Sequence, residues 1–258
     1  MLQKIAEIVR RAGDIILQAD GDKAVEQKSS RHDLVTKYDK AVQAFLYREL
    51  LKAVPEAGFV GEEDDVRQTV NHSCRFIVDP IDGTTNFIKG LKRSCVCVAF
   101  ARRGIIELGV VYNPYCDEMF TAERGRGAWL NGVPVHVSDC PMEKALAYAG
   151  MSPYYPQCAE ETFRLARLLQ TQCIDLRRSG SAALELCDVA CGRADVYYEC
   201  RLSPWDYAAA SLIVEEAGGH VADMQGAPLQ FEEKTSVAAA NGPCWQPLLK
   251  MAALAAGK

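Results

Sequence analysis

The chain carries the run Asp79-Pro80-Ile81-Asp82-Gly83-Thr84-Thr85-Asn86 directly after an apolar stretch. Two carboxylates brought together at the end of one strand repel each other unless a cation lies between them. Oxygen donors suit a hard ion such as Mg²⁺, which binds through one or two carboxylates and completes its octahedron with water and phosphate oxygens. If a helix begins at Gly83, the main-chain N–H groups of Gly83, Thr84 and Thr85 face outward at its N-terminus, where an anion is favoured. The same residues also read as a plain turn, with Asp79 as a cap and Gly83 supplying a positive φ.

Two other acidic segments bear on that choice. Gly58-Phe59-Val60-Gly61 runs into Glu62-Glu63-Asp64-Asp65, and Ser203-Pro204-Trp205-Asp206 sets an aspartate at a helix start. Taken singly, the first is a solvated acidic turn and the second an aspartate favoured by the helix dipole. The sequence holds no G-x-S-x-G elbow and no C-x-x-C pair, so nothing in it points to a covalent nucleophile. Gly125-x-Gly127 fails as a dinucleotide loop because Leu130 takes the third glycine position.

The elements that must position these residues follow from periodicity. Apolar residues at spacings of three and four predict a helix over 2–16 and a second from about 39 to 52, ended by Pro55, with a polar loop or hairpin over 20–31 between them. Strands are predicted at 58–62, 75–79, 94–101, 105–112 and 118–121, with Arg103-Gly104 turning one run back on the next. From about residue 143 the pattern alternates: strands at 145–149, 174–176, 194–198, 219–222 and 236–240, helices at 157–171, 181–191, 204–217 and 243–256. The expected organisation is an N-terminal part, 1–143, of helices over an antiparallel sheet carrying the acidic segment, and an α/β part, 144–258, closing a site between them.

Composition narrows the function classes. With 29 Lys plus Arg against 34 Asp plus Glu in 258 residues, the formal charge of −5 argues against a nucleic-acid binder. No apolar run approaches the roughly 20 residues of a membrane span, and Lys4, Glu7, Arg10, Arg11, Asp14 and Asp20 occupy the place of a signal peptide's apolar centre, so a cytoplasmic protein is expected. The 11 cysteines are scattered and odd in number, and read as reduced packing residues.

In order along the chain, Lys28-Ser29-Ser30, Asp33-Leu34-Val35-Thr36, Asp39, Gly61-Glu62-Glu63, DPIDGTTNF, Gly180-Ser181-Ala182-Ala183, Trp205-Asp206 and Glu216-Ala217-Gly218-Gly219 resemble the inositol monophosphatase family, the lithium-sensitive, Mg²⁺-dependent phosphomonoesterases. The resemblance implies an α/β (α+β) fold, a layered αβαβα sandwich of the sugar phosphatase type, a homodimer, and catalysis with two or three Mg²⁺ ions. It implies that Glu63, Asp79 and the Ile81 carbonyl hold the first metal, and that Asp79, Asp82 and Asp206 hold the second. Thr84 with Glu63 orients the attacking water, and Asp39 interacts with Thr84 or with the water network at the metal. Gly83, Thr84 and Thr85 hold phosphate oxygens, while Asp82, Ala182, Glu199 and Asp206 contact the substrate's hydroxyls. Lys28 lies near an optional third metal. The implied reaction is hydrolysis of a small phosphorylated polyol, inositol 1-phosphate first. The alternatives are fructose 1,6-bisphosphate, 3′-phosphoadenosine 5′-phosphate, histidinol phosphate or NADP, or a regulatory binding protein without turnover. Lys89, where the family often has histidine, and Arg177-Arg178 depart from the pattern.

Overall fold

The computed structural model describes residues 1–19, 25–27, 34–63, 73–153 and 155–257. Helix α1 (Leu2–Leu17) buries Ile5, Ile8, Val9, Ala12 and Ile16 along one stripe. Two short strands, β1 (Glu26–Gln27) and β2 (Leu34–Val35), pair antiparallel. Helix α2 (Lys37–Ala53) starts earlier than periodicity predicts, because its signal is a cap and not an apolar residue. The Thr36 hydroxyl accepts from the Tyr38 N–H at 3.1 Å, and Asp39 Oδ2 accepts from the Thr36 N–H at 2.8 Å, a reciprocal capping box.

Strands β3 (Gly58–Gly61) and β4 (Cys74–Asp82), then helix α3 (Thr84–Lys89), lead into β5 (Cys95–Arg102), β6 (Ile105–Asn113), β7 (Glu118–Glu123), β8 (Gly127–Leu130) and β9 (Val133–Pro134). They form a seven-stranded sheet in sequence order. Its neighbours are antiparallel with one exception: β3 and β4 run parallel, correcting the expectation of a purely antiparallel sheet. The stretch joining them is long enough for the crossover that a parallel pair requires. The β8–β9 hairpin escapes the periodicity analysis because its strands are short, yet Asn131 at φ 50° and Gly132 at φ 80° carry the Asn-Gly hairpin signal.

In the second half, β10 (Leu146–Ala149), α4 (Ala159–Gln172), β11 (Asp175–Arg177), α5 (Ala182–Ala190), β12 (Val196–Leu202), α6 (Pro204–Glu216), β13 (His220–Ala222), β14 (Thr235–Ala240) and α7 (Gly242–Ala255) follow one another. The five strands make a mixed sheet ordered β11-β10-β12-β14-β13.

Strand alternation then dictates the layers. In β5, Val96, Val98 and Phe100 face α1 and α2, while Cys95, Cys97, Ala99 and Ala101 face α5 and α6. In β12, Tyr197 faces α5 and α6, while Val196 and Tyr198 face the outer pair α4 and α7. The result is five layers, α–β–α–β–α, with α5 and α6 sandwiched between the sheets. Nearly every residue of α6 from Tyr207 to Val214 is buried, as a helix enclosed on both sides must be. It lies so close to β6 that a Cβ on Gly109 would sit 2.4 Å from the Ala209 carbonyl oxygen.

Candidate functional site

Strand β4 does not stop at Asp79 as periodicity suggests. It continues through Pro80 to Asp82 across a bulge, with Asp79 opposite Cys97 and Asp82 opposite Cys95. Three steps along β4 thus match two along β5. Residues three apart in a regular strand face opposite sides, but the extra residue returns Asp82 to the face of Asp79. Both carboxylates therefore look into the middle layer, where α6 begins. Proline is tolerated at this position because it is a bulge.

Asp206 lies in the first turn of α6, its Oδ2 accepting from the Ser203 N–H at 2.7 Å. It reaches Asp79 and Asp82 electrostatically: burial raises the Asp79 carboxyl well above the usual range, with the charges of Glu62, Asp82 and Asp206 adding to it. Burial likewise raises Asp206 well above its ordinary value, followed by the charges of Glu62 and Asp82. Asp82 is also raised by burial, opposed by hydrogen bonds from the Ser181 hydroxyl at 2.5 Å and the Ala183 N–H at 2.9 Å. Among the described residues no lysine or arginine pairs with Asp79, Asp82 or Asp206.

The third strand end contributes two glutamates with different surroundings. Residues 59, 61 and 63 share the face toward α2, where Glu63 is 4% exposed and its backbone is gripped from both sides by Gln43. The Gln43 side-chain amide donates to the Glu63 carbonyl at 2.7 Å, and its Oε1 accepts from the Glu63 N–H at 3.0 Å. Glu62, on the other face, is the glutamate whose charge acts on Asp79 and Asp206. Strand β3 ends at Gly61, so the distinction rests on these contacts: Gln43 holds the Glu63 backbone, and the Glu62 charge acts on Asp79 and Asp206. Gln43 carries no catalytic motif, and it is visible only in three dimensions.

Asp39 links the outer helix layer to the site. With Oδ2 committed to the α2 cap, Oδ1 accepts from the Thr84 hydroxyl at 3.2 Å. That hydroxyl also lies 3.1 Å from the Ile81 carbonyl oxygen, and Ile81 N–H donates to Asp79 Oδ1 at 2.9 Å. Burial raises the Asp39 carboxyl, against the hydrogen bonds of Thr36. Gly83, at φ 88°, caps α3, and Thr85 is exposed beside it.

The substrate-side turn, residues 179–182, presses against this cap. A Cβ on Gly83 would meet the Arg93 and Gly180 carbonyl oxygens at 3.1 and 3.2 Å. Asn86 donates to the Arg93 and Ser179 carbonyls, each at 2.7 Å, and Glu185 accepts from the Ser179 and Gly180 N–H groups. Burial pushes the Glu185 carboxyl up to about 7. Ala182 heads α5 next to Asp82's donors. Glu199 is buried with its oxygens taken by the Ser152 N–H at 2.8 Å, the Ser152 hydroxyl at 3.1 Å and the Tyr197 hydroxyl at 2.9 Å. Arg177 pairs with Asp175 at the surface, while the charge of Arg178 reaches Glu199. Lys28 lies outside the described residues, as do Asp64 and Asp65.

Buried, mutually repelling carboxylates with hard oxygen donors fit divalent metal ions, which would remove the repulsion. A layered α/β fold that brings such a cluster together where a strand bulge meets a helix start is compatible with the phosphatase class that the family match below supports. Residues 1–256 match the model of the inositol monophosphatase family, and the chain belongs to that family. It is 39% identical over 230 residues to the Nus factor SuhB of Escherichia coli, covering 88% of this chain and 86% of that protein. The crystal structure of the extragenic suppressor protein suhB from Bartonella henselae superposes with a TM-score of 0.91 at 35% identity, covering 97% of each chain. An IMPase of Thermotoga maritima superposes with a TM-score of 0.87 at 29% identity, covering 98% of this chain and 96% of its own. Among the described residues no helix is long and apolar enough to cross a membrane.

Proposed function

We propose that the protein hydrolyses the monoester of a small phosphorylated polyol, inositol 1-phosphate first, with Mg²⁺. One observation carries the reading: Asp206 comes from a segment distant in sequence from Asp79 and Asp82, all three are buried, the charges of Asp82 and Asp206 add to the burial that raises Asp79, and no basic side chain among the described residues pairs with them. Metal ions held there would neutralise the phosphate dianion and clamp attacking and leaving oxygens in line. The Ile81 carbonyl and one glutamate of the 62–63 strand end complete the donor set. The family resemblance implies Glu63; because Asp79 and Asp206 feel the charge of Glu62 while Glu63 faces α2, we assign the ligand role to Glu62. Two or three ions fit this number of donors; the family resemblance alone implies a role for Lys28 at the optional third.

The chain's own groups do the positioning. The Thr84 hydroxyl commits its proton to Ile81 O or Asp39 Oδ1, which turns an Oγ1 lone pair toward the attacking water. A carboxylate of the 62–63 pair takes that water's proton. The N–H groups of Gly83, Thr84 and Thr85 receive phosphate oxygens, and Ala182, Glu199, Asp82 and Asp206 meet the polyol hydroxyls. In this reading 1–143 and 144–258 are two units meeting at the cleft in a cytoplasmic homodimer.

A second reading, an ester with a further anionic group such as fructose 1,6-bisphosphate or an adenosine phosphate, is favoured by Arg178, whose charge reaches Glu199 beside the cleft. A panel of phosphate esters at equal concentration with Mg²⁺ decides between them. Inositol 1-phosphate is expected to rank first by kcat/KM, and Arg178→Ala to leave it little changed. No turnover of any ester would favour a binding protein without activity. Glu62→Gln is expected to lose roughly 10² or more in kcat, the scale of a missing base or electrostatic partner, and Glu63→Gln less. The reverse order would return the role to Glu63.

A further inference from the structure

The same bulge that aligns Asp79 with Asp82 sets Asp82 opposite Cys95, and alternation places Cys97 on the same face. One ligand atom from each of Asp82, Cys95 and Cys97 lies within 4.8 Å of the other two, all three residues buried. The sulfurs of Cys95 and Cys97 stand 3.6 Å apart, and Cys95 Sγ lies 3.7 Å from Asp82 Oδ2 and 3.6 Å from the Ser181 hydroxyl. Around one tetrahedral ion with zinc–sulfur bonds of about 2.3 Å and zinc–oxygen bonds of about 2 Å, neighbouring sulfurs stand roughly 3.8 Å apart and sulfur to oxygen roughly 3.5 Å. The Cys95–Cys97 and Cys95–Asp82 separations are close to two edges of such a tetrahedron, while the 2.5 Å contact between the Ser181 hydroxyl and Asp82 would have to open for the hydroxyl to become a ligand. The Ser181 hydroxyl or a water would supply the fourth donor. A pair of soft thiolates behind a hard carboxylate selects ions of the zinc class over Mg²⁺.

We propose that Asp82, Cys95 and Cys97 form a binding site for a thiophilic divalent cation of the Zn²⁺ class, and that its occupation switches the phosphatase off by withdrawing Asp82 from the hard-metal cluster. Binding forms two sulfur–metal bonds and releases both thiol protons to solvent, with no electron transferred. The site rests on the geometry of these three residues alone. The inhibitory consequence rests on the proposed phosphatase reading, so the two are tested separately.

Co²⁺, added to the full-length protein kept reduced with a phosphine, is the probe for the site. Wild type is expected to bind one equivalent with thiolate-to-cobalt charge-transfer absorption and the intense visible bands of a tetrahedral ion. Cys95→Ser/Cys97→Ser, or the corresponding alanine pair if the serine variant misfolds by circular dichroism, is expected to lose both. An unchanged spectrum in the double variant, or no thiolate band in wild type, overturns the site whatever the enzyme's substrate proves to be. For the consequence, Zn²⁺ is titrated against Mg²⁺-dependent hydrolysis. Cys97→Ser is expected to keep its Mg²⁺ activity and to need at least tenfold more Zn²⁺ for half-inhibition. Equal sensitivity would mean that zinc acts at the carboxylates directly, and overturns the switch.

Discussion

Two buried carboxylate groups of this chain are built in opposite ways. Asp188, in α5, is closed off by cations and a phenol: Arg93 at 2.5 Å, the Tyr148 hydroxyl at 3.0 Å and Arg193 at 3.5 Å. Among the described residues, Asp79, Asp82 and Asp206 have hydrogen bonds from backbone, hydroxyl and thiol donors and no cationic partner. The first group has its charge balanced within the protein. The second finds no balancing cation among the described residues, a repulsion that a bound cation would relieve. A structural ion pair and a metal site can use the same residue type at similar depth. What separates them is whether the protein itself provides the counter-charge.

The sharpest way to break that distinction is Asp79→Asn. Activity is expected to fall on the order of 10³-fold, the scale of losing a preorganised electrostatic partner. The metal-free protein is expected to melt higher than wild type, because one repelling charge is gone, and Mg²⁺ is expected to stabilise it less. A lower melting temperature without metal would show that the Asp79 charge is already compensated.

The complementary change, Asp188→Asn, leaves Arg93 facing a neutral partner. Since Arg93 is partly exposed, a loss of about 2 kcal/mol is expected, within the range for leaving one member of a pair unsatisfied. Denaturant unfolding measures it, and the Mg²⁺ dependence of activity should be nearly unmoved. A large shift in Mg²⁺ affinity would join the two groups into one network.

Gln43→Leu tests whether holding the 62–63 strand end matters. The Glu63 backbone loses both amide partners, and kcat is expected to fall about tenfold, the lower end for a group that orients a ligand. Wild-type turnover with a weakened fold would make Gln43 merely structural.

The smallest expected effect is a slope. Asp79, Asp82 and Asp206 all bind protons more tightly folded than unfolded, as do Asp39, Glu185 and Glu199, which burial also raises. Their contribution is fully present below the unfolded carboxylate pKa of about 4 and is lost as pH rises through the folded values. In chelator, stability should therefore decline from about pH 5 to about pH 8, and saturating Mg²⁺ should flatten the decline. The folded circular-dichroism signal should persist throughout, because the core is apolar packing. A metal-free stability that rises over this window would contradict the raised values.

The acidic residues, the glycine at the α3 cap and most elements were legible in the sequence, because periodicity and capping are local. The helices and strands fall close to their expected positions, and Asp39, Asp79, Asp82, Thr84 and Asp206 could be picked out by residue type and order. Three features were not local. The bulge at Pro80 sets the faces of Asp79 and Asp82, and it is defined only by pairing with β5. The β3–β4 pair is parallel, and no signal within either strand states the direction of its partner. The different surroundings of Glu62 and Glu63 depend on Gln43, a residue of α2 that holds the Glu63 backbone. By itself the sequence determined which groups could bind metal and phosphate. The tertiary structure decided which of them come together, because sidedness in a sheet is fixed by register and by the layers packed on each face.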